Sequence, residues 1–188
     1  MTLAAIDCHM VGQAAAGDAG NGRYASTLLA AMAATAADGD AVASLVATAQ
    51  GARALAAFGR TVGVPSADVA RLARAAPRAL ADIGADAAVF TYVSPGWNPC
   101  PVLLAVHDAT FMTNPEWLSA RARAVLRGLV PRSARRARLV LALSETAAAD
   151  VAAGLAIPRA KVRVVSPHAA PVFTPRGGAA EPAGPYTH

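Results

Sequence analysis

An apolar run that ends in two ionisable side chains is the stretch of this sequence best suited to do chemistry. Residues 102–106 are all apolar, and His107 and Asp108 follow them directly. Such a run predicts a strand buried on both faces, as in a parallel sheet. Ligands of open α/β sheets bind outside the carboxyl ends of the strands, so His107 and Asp108 form a candidate site. The alternative is structural: Asp108 caps the next turn while His107 bonds to a loop carbonyl.

A glycine-rich segment near the N-terminus could bind a phosphate group. Gly17, Gly20 and Gly22 follow the first predicted strand, and a helical pattern starts at Tyr24. Glycines let the backbone approach a ligand closely, and the N-terminus of a helix favours an anion. The glycines fit neither Gly-x-Gly-x-x-Gly nor a Walker loop, so a dinucleotide fingerprint and a P-loop are both unsupported. Taken alone, such a segment is more often a simple turn.

Length and composition bound the class of protein. The chain has 188 residues, the usual size of one domain that buries a core without disulfides or metal. Its formal charge of +5 permits nucleic acid, a lipid surface or a nucleotide diphosphate as partner without choosing among them. Two cysteines are too few for a disulfide framework or a thiolate metal site, so a reducing cytoplasm is expected. A signal-peptide pattern and an apolar window of ~18 residues are both missing, so we expect no membrane span.

The elements that must position these residues alternate along the chain. We predict strands at 3–7, 43–49, 87–92, 102–106, 139–143 and 162–165. Helical patterns lie between them, with Pro77 marking a start or a kink and Ser144 capping the last helix. The alternation predicts an α/β fold with a doubly wound, mainly parallel sheet and helices on both faces.

One of the predicted helices is rich in arginine. It is expected to start near Asn114-Pro115-Glu116 and to gather on one face Leu118, Ala122, Val125, Leu126 and Leu129. Most of its arginines fall outside that stripe. An amphipathic helix of this kind can lie on an anionic lipid surface, although a solvated helix is the simpler interpretation.

Five stretches in order resemble the N-terminal, acceptor-side domain of the family 4 glycosyltransferases, which have the GT-B fold. Together they cover nearly the whole chain. They are the loop 20–24 after the first strand, the stretch 105–111 followed by 114–117, and the segments 135–150, 157–165 and 171–175.

The resemblance implies one Rossmann-like domain of a two-domain enzyme. This domain would span 1–175, and 176–188 would be a connector toward an absent donor-binding domain. The implied reaction transfers a sugar from a nucleotide sugar to a sugar or lipid-linked acceptor, with retention and with neither metal nor cofactor. This half alone would be inactive.

The same resemblance implies roles for individual residues. His107 would face the transferred sugar and donate a hydrogen bond to it, while Asp108 could orient His107. The candidate contacts to the diphosphate or the acceptor are Gly20, Asn21, Gly22, Arg23 and Tyr24. Tyr24 could equally be the first core residue of its helix.

Other interpretations remain open. The chain could be a single-domain Rossmann or flavodoxin-like binding protein without transferase activity. Nucleic acid is not expected as a partner, because aromatic residues make up only 5% of the chain and no recognition motif is present. The expected location is the cytoplasm, with peripheral contact to the inner face of the membrane as a further option.

Overall fold

The computed structural model describes residues 2–13 and 20–167. Its strands are β1 (Leu3–Asp7), β2 (Ala41–Val46), β3 (Arg60–Gly63), β4 (Ala87–Thr91), β5 (Val102–Ala105), β6 (Leu139–Ala142) and β7 (Val162–Val164). Its helices are α1 (Gly20–Thr35), α2 (Ala49–Leu55), α3 (Asp68–Ala70), α4 (Ala76–Ile83), α5 (Thr110–Thr113), α6 (Ala120–Arg136) and α7 (Glu145–Leu155). The predicted domain boundary at 175 and the connector 176–188 lie outside the described residues and stay predictions.

The strands form one parallel sheet with the order β3-β2-β1-β4-β5-β6-β7. This is the Rossmann order extended by one strand, and it differs from the flavodoxin-like order. The predicted Rossmann-like α/β fold is therefore confirmed, and a flavodoxin-like arrangement is not the one adopted. The strand order reverses between β1 and β4, which makes the carboxyl ends of these strands the usual place for a ligand.

Helices cover both faces of the sheet, as predicted. Neighbouring residues of β4 point to opposite faces: Phe90 joins the core that holds α4, α6 and α7, whereas Val89 joins the core that holds α1 and α2. Because each strand of the sheet centre is buried on both sides, its residues read as one apolar run rather than an alternating pattern.

Several predicted boundaries were wrong. The edge strand β3 was not predicted, because its sequence Arg60–Gly63 is short and only partly buried. The second strand was predicted at 43–49 but ends at Val46, and Thr48 then caps α2 by accepting a hydrogen bond from the amide of Gly51. Helix α1 was predicted to start at Tyr24, whereas Gly20–Arg23 form its first turn. Short helix α5 was not predicted either.

The apolar face predicted for the arginine-rich helix was only partly right: Leu118 and Leu126 pack against the core, but Val125 and Leu129 do not. Asn114–Glu116 do not start it; a 3-10 turn covers Pro115–Trp117, and Ser119 caps α6 at 3.2 Å from the amide of Ala122. Val125 and Leu129 are 44% and 42% exposed. The buried residues Val130, Ser133 and Ala134 face the sheet instead, because small side chains let the helix approach closely.

The connection from β3 to β4 contains a π-helical turn, Arg71–Ala75, between α3 and α4. Pro77 comes just after this turn, within one unbroken helical stretch that runs from Asp68 to Ile83. The turn carries Arg71, whose side chain is buried. It therefore delivers a charged group into the interior beside the sheet.

Candidate functional site

Three neighbouring strands end together at the carboxyl edge of the sheet. Residues of β1 pair with β4, and residues of β4 pair with β5 up to the pair Thr91–Ala105. After β5 the buried Val106 still donates its amide proton to the carbonyl of Leu141, 2.9 Å away. The chain then leaves the sheet at His107, so the predicted pair His107–Asp108 lies at this edge.

Asp108 is held by three hydrogen bonds. The hydroxyl of Tyr92 donates to one carboxylate oxygen at 2.8 Å, and the amide of Thr110 donates to the other at 2.9 Å. The hydroxyl of Thr110 donates to that second oxygen as well. Burial alone would raise the pKa of Asp108, but these hydrogen bonds outweigh it and lower the pKa below its ordinary value.

The carboxylate therefore organises the loop rather than the imidazole. Within the described residues Asp108 makes no hydrogen bond to His107, so the expectation that it orients His107 is not supported by a direct contact. The structural alternative, in which Asp108 holds the turn that opens α5, describes its contacts better.

His107 is oriented by aromatic rings instead. The ring of Tyr24 meets it edge to face, with ring centroids 4.4 Å apart and planes inclined at 63°. The ring of Tyr92 meets it at 5.6 Å and 68°. Tyr92 in turn packs against the buried Phe111 at 6.1 Å. Helix α1 and strands β4 and β5 thus fix one imidazole from two sides.

Two polar atoms in this aromatic group are buried without a hydrogen-bond partner among the described residues. They are Nε2 of His107 and the hydroxyl oxygen of Tyr24. Burial lowers the pKa of His107 more than nearby Asp108 raises it, so the imidazole is neutral at neutral pH. Burial raises the pKa of Tyr24, so its hydroxyl keeps its proton. The site therefore offers neutral hydrogen-bonding groups.

Tyr92 was missed by sequence reasoning as a site residue. It adopts a left-handed backbone conformation with φ of 58°, which is unusual for a residue that is not glycine. This turn aims its ring at His107 and its hydroxyl at Asp108. The sequence gives no direct signal for that conformation, although an aromatic residue at the carboxyl end of a central strand could have been noted.

The predicted ligand contacts at 20–24 occupy the first turn of α1. Gly20 and Arg23 are exposed, Asn21 is half-buried and Gly22 is buried. No heavy atom of the described residues would lie within 4 Å of a Cβ added to Gly20. Of this group only Tyr24 is shown in contact with His107. Gly17 lies outside the described residues.

A buried ion pair closes the carboxyl end of β1. Arg71 binds the carboxylate of Asp7 and, at 2.5 Å, that of the exposed Asp68. Nδ1 of His9 lies 3.1 Å from the other oxygen of Asp7. Between them, burial together with the charge of Asp7 raises the pKa of Cys8 to about 12, so this thiol is not a nucleophile.

Neither a cluster of metal ligands nor a membrane-spanning helix is found in the described residues. No group of three or more His, Cys, Asp or Glu side chains within residues 2–13 and 20–167 is placed to hold a metal ion. No helix in the same part of the chain is long and apolar enough to cross a membrane.

The fold has counterparts among solved structures. The chain superposes on a glycosyltransferase from Rickettsia africae ESF-5 with a TM-score of 0.56 and 10% sequence identity. The match covers 88% of this chain and 42% of that structure, so the chain spans less than half its length. No family model and no curated protein matches the sequence. At this identity the likeness shows a glycosyltransferase-like α/β fold.

Proposed function

We propose that this chain is the acceptor-side half of a cytoplasmic, retaining glycosyltransferase of the GT-B type. The family 4 pattern of its sequence and the fold shared with a glycosyltransferase both support this assignment. The donor would be a nucleotide sugar, and the acceptor a sugar or a lipid-linked sugar. The donor-binding groups would belong to a second domain, and no metal would be needed.

The observation that carries the proposal is the pair of unpartnered polar atoms at the carboxyl edge. Burying a polar atom without a hydrogen bond costs about 1–3 kcal/mol, and native structures rarely keep two such atoms together without a reason. Nε2 of His107 and the hydroxyl of Tyr24 belong to rings that touch. A polyhydroxyl ligand supplies both donors and acceptors, so a sugar that gained access to these two buried atoms would satisfy both.

The described residues can bind and orient such a ligand. A neutral imidazole donates or accepts one hydrogen bond at Nε2 without adding a charge. The N-terminus of a helix favours an anion, and within the described residues no heavy atom would lie within 4 Å of a Cβ added to Gly20 in the first turn of α1. Positive groups and amides aimed at the leaving diphosphate would stabilise the charge that develops there, which is the largest contribution expected in such a transfer.

Substitution of His107 tests the proposal with a built-in rescue. Expression of the complete coding region would be followed by release of nucleoside diphosphate from a panel of nucleotide sugars with candidate acceptors. His107→Asn keeps a polar atom near the position of Nδ1 but removes Nε2, and it should lower kcat/KM at least about 100-fold. His107→Gln places an amide near Nε2 and should recover part of that loss.

The matched control is another histidine of the same sheet edge. In His9→Asn the new amide can still donate to Asp7, so kcat/KM should stay within about threefold of the unchanged protein. Equal activity of His107→Asn and the unchanged protein would refute the role of His107. No transfer from any nucleotide sugar by the complete protein would favour the alternative, a Rossmann binding protein without transferase activity.

We also propose a peripheral contact between α6 and an anionic membrane surface. The helix carries six arginines, with no acidic residue between Ala120 and Arg136, and exposes Val125 and Leu129. Flotation with liposomes that contain anionic lipid should recover the protein at low salt. Equal recovery with neutral liposomes would refute this contact.

A further inference from the structure

The edge of the sheet opposite His107 contains a basic cavity. It lies where β5, β6 and β7 begin, and its volume is about 630 Å³. Pro101 just before β5, Arg138 just before β6 and Lys161 just before β7 all line it. The length of β5 separates this cavity from His107, so the two sites are distinct. Its volume falls within the range of small-molecule pockets.

The charged side chains that line this cavity have one sign. Among the described residues they are those of Arg136, Arg138 and Lys161, and no carboxylate lines it. None of the three takes part in an ion pair within the described residues. Lys161 uses one of its three protons to donate to the carbonyl of Arg135 at 2.7 Å, which leaves two for a ligand. Two guanidinium groups and an ammonium group facing one hollow form an anion site.

An exposed indole lies on the wall of the same cavity. Trp97 is 64% exposed although tryptophan is usually well buried. Its loop is joined to α6 by the amide of Ser94, which donates to the buried Ser133 at 3.1 Å, and is closed internally by Asn98, which donates to the carbonyl of Pro95 at 3.1 Å. The indole is an exposed flat surface beside three positive charges.

We propose that this cavity binds a nucleoside monophosphate. The phosphate would accept hydrogen bonds from the guanidinium groups of Arg136 and Arg138, which match a phosphate in a bidentate manner. The base would stack on Trp97, as bases do on exposed aromatic side chains. A flat membrane surface would leave the hollow unfilled, whereas a ligand with one anionic end and one flat end fills it. The inference does not depend on the proposed transferase activity.

Fluorescence of one indole tests the proposal directly. The chain has two tryptophans, and Trp117 is 71% exposed in a turn beyond the carboxyl end of β5. In Trp117→Phe, Trp97 is the sole indole. AMP is the probe, because a purine offers the largest stacking surface. It should quench Trp97 in a saturable manner with a Kd of about 1 mM or below, and added salt should weaken binding.

Two fragments of AMP test the contributions of the phosphate and of the base separately. Ribose 5-phosphate and adenosine should each bind at least about tenfold more weakly than AMP, since each lacks either the stacked base or the phosphate. Arg138→Gln should weaken AMP binding about tenfold or more by removing a charge-assisted hydrogen bond. The matched control Arg127→Gln removes an exposed arginine of α6 that does not line the cavity, and it should leave the affinity unchanged.

Three results would overturn the proposal. Binding of ribose 5-phosphate as tight as that of AMP would show an anion site that does not read the base. Binding of adenosine as tight as that of AMP would show that the cations take no part. No quenching up to about 10 mM AMP, together with no heat when AMP is titrated into the unsubstituted chain, would exclude a nucleotide site.

Discussion

Breaking the ion pair at the end of β1 should lower the free energy of unfolding by more than the loss of an exposed ion pair would. The side chains of Asp7 and Arg71 are 3% and 4% exposed. Arg71→Met keeps most of the side-chain volume but leaves the carboxylate of Asp7 without its cation. Removing one partner of a buried pair costs about 3–5 kcal/mol, whereas an exposed pair contributes only about 0–1 kcal/mol.

The lower end of that range applies here. Asp7 keeps its contacts with the amide and Nδ1 of His9, at 3.3 and 3.1 Å, after the arginine is removed. We therefore expect the free energy of unfolding to fall by about 3 kcal/mol. With a urea m-value of about 2 kcal/mol/M, the midpoint should move down by about 1.5 M.

Arg78→Met is the control, and a double variant tests whether the two buried charges interact. Arg78→Met removes an exposed arginine of α4 and should change the free energy of unfolding by less than about 0.5 kcal/mol. In Asp7→Asn with Arg71→Met neither charge remains, so the double variant should lose at least about 1 kcal/mol less than the two single losses added together. A loss below about 1 kcal/mol for Arg71→Met would refute the burial of this pair.

Three other perturbations test individual contacts of the fold and of the candidate site. Tyr92→Phe removes the 2.8 Å hydrogen bond to Asp108 and should lower the free energy of unfolding by about 1 kcal/mol in urea titrations; no loss would contradict that bond. Because burial lowers the pKa of His107, the unfolded chain binds more protons near its ordinary value of 6.5, so stability should fall as the pH drops from about 7 to 5. His107→Gln should flatten that slope, and an unchanged slope would contradict the burial of the imidazole. Gly51→Ala should cost about 2 kcal/mol or more in the same titrations, because its Cβ would lie 2.5 Å from the carbonyl oxygen of Val11; a neutral substitution would show that the backbone can move aside.

The sequence predicted the sheet better than it predicted the helices. Strands β1, β4, β5 and β6 are buried on both faces, so each reads as an apolar run whose position is clear. Strand β3 lies at the edge of the sheet, is four residues long and offers no such run. An edge strand is less buried, so its sequence lacks the apolar run from which a central strand can be predicted.

Helix α6 shows a different limit of sequence reasoning. Periodicity favoured the large residues Val125 and Leu129 as part of its packing face, but both lie on the exposed side. The helix packs through Val130 and Ala134 with Leu126 beside them, and the buried Ser133 on the same side accepts a hydrogen bond from the amide of Ser94. A partner 39 positions away in the chain leaves no periodic signal.

Only part of the candidate site could be predicted, because its other contacts also join residues that are far apart in the sequence. The order of residues located His107 at the end of a buried strand. The positions of Tyr24 and Tyr92 around it depend on helix α1 crossing the sheet and on the left-handed conformation of Tyr92. Neither is encoded in a local pattern. Likewise, the ion pair of Asp7 and Arg71 joins residues 64 positions apart through a π-helical turn.

Both carboxylates at this edge are engaged by other side chains, which limits the reactions that the described residues can perform. Asp7 is the last residue of β1 and is bound by Arg71, whereas Asp108 follows β5 and is engaged by Thr110 and Tyr92. A carboxylate that acts as a nucleophile needs a free lone pair and a path to the substrate, and these hydrogen bonds compete for both. Nε2 of His107 and the hydroxyl of Tyr24 are buried without a partner among the described residues, and the imidazole is neutral. Under the proposed function, these contacts favour an edge that positions a sugar through hydrogen bonds over a covalent intermediate on Asp7 or Asp108.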